Sequence, residues 1–149
     1  VLLALWAVEP TEARAQVFPN GNGISLAGVT AFDANITVPI WLNVDGDRDR
    51  FVSNAQSAWE LGLRRDGVEV SSSSPNFLIC SLAVAQSGGT VAVQYGVRYF
   101  GYKQAGLHPL LWEGGGMLTV GSDNFEADDI AQNCVDTFAN EWLKWNPRE

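Results

Sequence analysis

Histidine and cysteine are the scarcest reactive residues of this 149-residue chain, present once and twice respectively. Sites of the zinc type draw most of their ligands from those two residues, so a centre built from several of them is excluded within one chain. We therefore expect no metal and no cofactor. Basic residues are few as well: 9 Lys and Arg stand against 17 Asp and Glu, a net charge of −8. Without a basic footprint there is nothing to grip a phosphate backbone, and no nucleic acid is expected as a partner. Charged residues together make up only 17%, against about 25% in a typical domain. Long apolar runs are missing too. Residues 1–8 are uninterruptedly apolar, well short of the ~20 that a membrane-crossing helix needs. What is present is 46% hydrophobic and 11% aromatic residues, enough for one core, in a length that suits one domain.

The apolar run of residues 1–8 is followed by Glu9-Pro10 and then by Ala13-Arg14-Ala15 ahead of Gln16. An apolar h-region leading to an A-x-A site reads as a secretory signal peptide over residues 1–15. The charged n-region is missing and the chain opens on Val, which reads as a signal truncated at its start. Retained, the same segment would serve as an N-terminal anchor. Cleavage would remove only Glu9, Glu12 and Arg14, so the acidity belongs to the folded domain.

Residues 16–24, rich in Pro, Asn and Gly, read as a linker, with a single domain over residues 25–149. Residues 25–29 and 35–44 suggest strands, Pro39 marking an edge or bulge in the second. Asp45-Gly46-Asp47 suggests a turn, and Asp47 or Asp49 a cap for a helix to about Asp66. Its buried stripe is expected at Val52, Ala55, Trp59 and Leu63. Gly62 within it costs about 1 kcal/mol relative to Ala, which points to fraying or to something packed closely there. Gly67 suits the left-handed position after the helix. Val68 and Val70 suggest a short strand. Residues 77–85 and 91–99 read as a hairpin closed by Gln86-Ser87-Gly88-Gly89. Leu110-Leu111-Trp112 suggests another strand, and Gly114, Gly115 and Gly116 a tight turn before the last helix. That helix is expected to open at residues 121–123, to bury Ala127, Ile130, Ala131, Cys134, Phe138 and Trp142, and to stop at Asn146-Pro147. The expected fold class is α+β: a single antiparallel-rich sheet of four to five strands with two helices packed on one face, in the order strand, helix, strands, helix.

This order of motifs resembles a family of uncharacterised exported bacterial proteins. Its first pattern is a helix end of the Leu-Arg-x-x-Gly-Val type, here Glu60, Leu61, Leu63, Arg64, Arg65, Gly67, Val68 and Val70. A Trp strand follows, here Trp112, then a helix ending Phe-x-x-x-Trp-Leu-x-x-Asn-Pro, here Asp136, Phe138, Trp142, Leu143, Asn146 and Pro147. The resemblance spans roughly residues 25–147 and implies a fold and an exported location, with no catalytic residues to carry over. Gly62 and the two cysteines depart from its pattern.

Cys80 falls in the apolar strand and Cys134 on the inner stripe of the last helix, which the expected fold packs together. In an oxidising compartment the pair can form a bridge worth about 4 kcal/mol; otherwise two buried thiols act as small apolar residues. Asp45, Asp47 and Asp49 alternate as in a calcium loop, but Arg50 and Gln56 stand where that loop requires Gly and Glu. Gly116 and Gly121 have Walker spacing, yet Ser122-Asp123 replaces the Lys-Ser/Thr. His108, before Pro109, is the single possible base for a serine hydrolase, and Ser25 between Gly23 and Ala27 does not sit at a strand-to-helix elbow. Glu113 and Asp123 remain as a carboxylate pair for a small hydrolase or carbohydrate-active enzyme, if the fold brings them together. Tyr99, Tyr102 and Trp145 are the candidates for an exposed aromatic patch that binds a protein or a sugar. The function expected from this pattern is a non-catalytic binding or assembly role in the periplasm or envelope, with a protein partner. The alternatives are the carboxylate enzyme and an N-terminally anchored accessory subunit of a membrane complex.

Overall fold

The computed structural model describes residues 23–38, 48–102 and 107–148. After a 3₁₀ turn (Gly23–Leu26) come β1 (Ala31–Thr37), α1 (Arg48–Arg65), β2 (Glu69–Val70) and β3 (Phe77–Ser87). Next are β4 (Thr90–Phe100), β5 (Leu110–Gly121), a second 3₁₀ turn (Ser122–Asn124) and α2 (Ala127–Trp145). The five strands form one sheet in the order β2-β1-β3-β4-β5. The class is α+β, as expected, but the sheet is mixed rather than antiparallel-rich. The crossover through α1 leaves β1 parallel to both β2 and β3, because only a crossover can return a strand in the same direction. Hairpin connections make β3–β4 and β4–β5 antiparallel. With β2 only two residues long, the short connection 71–76 suffices to pass β1 and start β3.

Strict alternation decides which side of each strand is covered. Phe32, Ala34 and Ile36 of β1, Leu78, Cys80, Leu82 and Val84 of β3, and Val91, Val93, Val97 and Tyr99 of β4 are buried. Phe138 of α2 meets Phe32 and Trp112 edge-on, with ring centroids 5.3 and 5.9 Å apart. Cys80 and Cys134 form a disulfide with Cα atoms 6.1 Å apart, fastening α2 to the middle strand. All six residues of the expected α2 stripe are buried, joined by Val135 and Ala139. On α1 the buried residues are Phe51, Ala55, Trp59, Gly62 and Leu63, Phe51 taking the place expected for Val52. Gly62 is where the helices touch: an added Cβ would lie 2.6 Å from Val135 Cγ2. Gly67, at φ +88°, reverses the chain after α1.

Several expectations are corrected. Residues 25–29 are not a strand, because Ala27 N donates to Ile24 O and Val29 N to Leu26 O, closing turns that end in Gly28 at φ +74°. The folded region already includes Gly23, which is buried with Leu26 in that turn, so the stretch read as a linker reaches too far. β1 starts at Ala31, four residues before the expected position. Pro39, Trp41 and the Asp45-Gly46-Asp47 turn lie outside the described residues. The glycines at 114, 115 and 116 lie inside β5, opposite Val97, Gly96 and Tyr95 of β4. Gly115 is there because the strands approach closely: an added Cβ would collide with the Tyr95 carbonyl oxygen. α2 consequently begins at Ala127, after the second 3₁₀ turn.

Candidate functional site

One edge of the sheet is closed by side chains. Beyond Phe32, β1 has outgrown β2, and α1 supplies what the missing strand would have given. Ile36 N donates to Gln56 Oε1, and Gln56 Nε2 donates to Ala34 O, both at 2.8 Å. Glu60 also accepts from Gln56 Nε2 at 2.8 Å and from Arg64 at 2.9 Å, holding the amide in place. A neighbouring concavity of about 320 Å³ lies among residues of the first 3₁₀ turn, β1, β2 and the serine-rich connection. Its polar groups bond to one another: Ser74 Oγ donates to Ala31 O at 2.8 Å and accepts from Asn76 N at 3.2 Å. Tyr99 OH donates to Asn76 Oδ1 at 3.2 Å behind them.

The opposite edge is β5. It pairs with β4 on one side, with a bulge that leaves Leu111 out of the register, and residues 114–121 include no charged side chain. Glu113, just before that stretch, is matched by Arg98 across the strand pair at 2.7 Å. At the start of β5, Ser25 Oγ of the first 3₁₀ turn donates to Leu111 O at 3.2 Å. At its end, Ser122 N donates to Gly89 O and turns the chain away. Large hydrophobic side chains left exposed collect here: Leu110 and Met117 on β5, Tyr102 and Leu107 on the connection into it, and Ile24 on the turn beside it. Among the described residues Leu61, on α1, is the exposed one that lies elsewhere. Met117, in mid-strand, is 72% exposed.

The residues singled out from sequence scatter over this frame. Tyr99 is 3% exposed and stands edge-on to Phe32, so it belongs to the core and not to a surface patch. Burial also raises its phenol above the ordinary value of 10.0. Tyr102 is exposed beside β5. Trp145 is half-buried at the end of α2, donating to Glu141 at 3.0 Å. Glu113 and Asp123 are not brought together: the extended strand from 113 to 121 spans about 26 Å before the turn that holds Asp123. Glycosidase carboxylates stand roughly 5–9.5 Å apart, so the geometry removes that pair as an acid–base couple. His108 Nδ1 bonds the Gly101 carbonyl at 3.0 Å and the ring lies edge-on to Phe77, while Ser25 is engaged with Leu111. Among the described residues no group of three or more His, Cys, Asp or Glu could hold a metal ion, and no helix is long and apolar enough to cross a membrane.

Sequence reasoning missed β5 as an edge because the triple glycine was read as a turn. The signal was there: Met117, Leu118, Thr119 and Val120 are followed by Gly121-Ser122-Asp123, a second stop, and two stops bracket a strand more naturally than a turn.

No protein-family model matches the chain, and no curated protein does. Among solved structures it is similar to a point-variant PelC dodecamer from Paraburkholderia phytofirmans, at 12% identity over 75% of this chain and 83% of that one, TM-score 0.46. A PelC dodecamer of the same organism in another crystal form gives 12% identity over 80% and 86%, TM-score 0.42. The third is an uncharacterised protein at 12% identity over 76% and 86%, TM-score 0.38. At that identity and those scores the likeness assigns neither activity nor site.

Proposed function

We propose that this protein is an exported, non-catalytic binding domain of the bacterial envelope that takes its partner along β5. The observation that carries the reading is the placement of exposed apolar side chains on and beside one edge strand whose residues 114–121 carry no charge. An edge of this kind presents unpaired backbone donors and acceptors to an added strand, and alternate side chains give the contact its specificity. One feature supports the exported location: a disulfide joins Cys80 to Cys134, and such bonds persist in oxidising compartments.

A photo-crosslinking residue placed at Met117 in the producing bacterium tests the binding reading. The expected result is a discrete adduct from position 117 and none from Leu61 on α1. Adducts from 61 alone, or from neither position, would overturn it. The intact mass of the same protein reports the compartment: a chain starting at Gln16 with its bridge intact supports export, and one retaining residues 1–15 points instead to an anchored subunit.

A further inference from the structure

Resting on the reading of β5 as a binding edge, we infer that its occupant is a second copy of this chain, paired antiparallel across a two-fold axis at Gly116. The argument begins with charge. Two chains of net charge −8 repel over most of their surface. Asp123 and Glu126 lie beyond the end of β5, and Asp128 and Asp129 fill the first turn of α2. Residues 114–121 carry no charge, and Glu113 is neutralised by Arg98. Two acidic copies can therefore meet along β5 without like charges in contact.

Shape singles out the antiparallel arrangement. The strand is small in its first half, at Gly114, Gly115 and Gly116, and bulky in its second, at Met117, Leu118, Thr119 and Val120. Antiparallel self-pairing sets each half against the other half of the second copy; parallel self-pairing would set bulk against bulk. Side-chain alternation then restricts the register. Trp112, Gly114, Gly116, Leu118 and Val120 share a face by their pairing with the inward residues of β4, and a continuous sheet keeps inward residues opposite inward ones. The axis must accordingly pass through a residue and not between two. The first 3₁₀ turn lies over Leu111 and the chain turns away after Gly121, leaving residues 112–120, whose midpoint is Gly116. In that register Met117 faces Gly115 of the second copy, Leu118 faces Gly114 and Val120 faces Trp112. Met117, exposed in the single chain, then covers the notch that Gly115 leaves.

The other edge argues for closure at two. A heterologous contact would join β5 to the β1 side of the next copy and grow into a ring or filament. There the Gln56 amide already bonds Ile36 N and Ala34 O. Pairing β5 with β5 uses both open edges and stops.

Sedimentation equilibrium on the full mature chain, with its disulfide intact, tests the proposal. The expected result is a monomer–dimer equilibrium. Spin labels on Met117→Cys are expected within about 20 Å of each other in the dimer, since residues near the axis lie one strand spacing and a few residues apart. Met117→Asp, at an exposed position, should leave the far-UV spectrum unchanged and raise the dimer dissociation constant about tenfold or more, since like charges then meet across the new strand pair. Thr119→Asp provides a second exposed site and should act in the same direction. A strictly monomeric chain, labels far apart in a dimer, or a dimer indifferent to both substitutions would overturn the inference. A monomer whose position 117 still crosslinks to a different protein would overturn self-pairing while leaving the binding edge standing.

Discussion

Where β1 outgrows its two-residue neighbour β2, a glutamine from α1 supplies one donor and one acceptor at the distances a strand would have given. At the far side of the same sheet, β5 runs for twelve residues with only β4 beside it among the strands of the sheet. Both edges face the general hazard of unpaired backbone, and among the described residues a side chain from a helix caps strand backbone at the β1 edge. Evident covering devices are absent from residues 114–121: they contain no Lys and no Pro. The contrast supports the proposal that β5 is a binding surface, since the means of covering an edge exists elsewhere in the same fold.

The largest break in this comparison comes from the disulfide, because the covered edge depends on an α1 side chain, while residues 114–121 of the open one are held by backbone pairing with β4. Gln56 sits on α1, α1 packs on α2 at Gly62 and Val135, and α2 is fastened to β3 by Cys80 and Cys134. Replacing both cysteines by Ala should cost about 4 kcal/mol, the chain-entropy value for a loop of this length, read by denaturant unfolding. Hydrogen exchange should then show the amide of Ile36 losing protection before those shared by β4 and β5. Equal loss at both edges would mean that the helix layer supports them alike.

A smaller and more local effect is expected from Gln56→Ala. Ile36 N and Ala34 O would lose their partner in a half-buried position, at a cost of about 1–3 kcal/mol. The substitution also makes the two edges alike, so a second mode of self-association should appear, growing with concentration and insensitive to Met117→Asp. Unchanged stability and association would show that water replaces the amide without penalty, and the edges would differ less than their geometry suggests.

How much of this was legible beforehand depended on whether local pattern or long-range pairing settled each element. The α2 stripe, the Gly67 stop and the hairpin of β3 and β4 follow from periodicity and turn chemistry, and the structure has all three. Placing strand and helix brings Cys80 and Cys134 together but leaves bridge and free thiols both open; the structure has the bridge. The parallel sense of β1 and β3 is a property of the crossover, which local composition does not encode. β5 was misread because glycine has the same local signature in a turn as in a strand that another backbone approaches closely; only the Tyr95 carbonyl opposite Gly115 distinguishes them. The edge proposed for binding is hidden with it, and Tyr99 reads as a surface aromatic because its cover, Phe32, comes from a strand far away in the sequence.

The smallest effect should come from the foot of the open edge. Glu141 on α2 accepts from Lys144 at 2.7 Å and from Trp145 at 3.0 Å, and its carboxyl faces Gly23 of the turn that lies over Leu111. The hydrogen bond from Lys144, aided by that from Trp145, holds the carboxyl below its ordinary value of 4.5, against the opposing effect of burial. A carboxyl depressed in the folded state contributes stability that is present above 4.5 and lost as pH falls through its lower folded value. Acidification into that window should loosen the first 3₁₀ turn and release Ser25 from Leu111, lengthening the open edge at its start, while β1 and Gln56, which do not involve this carboxyl, stay as they are. Glu141→Gln should abolish the pH dependence of amide protection at residues 23–26, that is, of exchange relative to the intrinsic rate at each pH. If the dependence persists in that variant, another group governs the turn, and the two edges do not differ in their response to acid through Glu141.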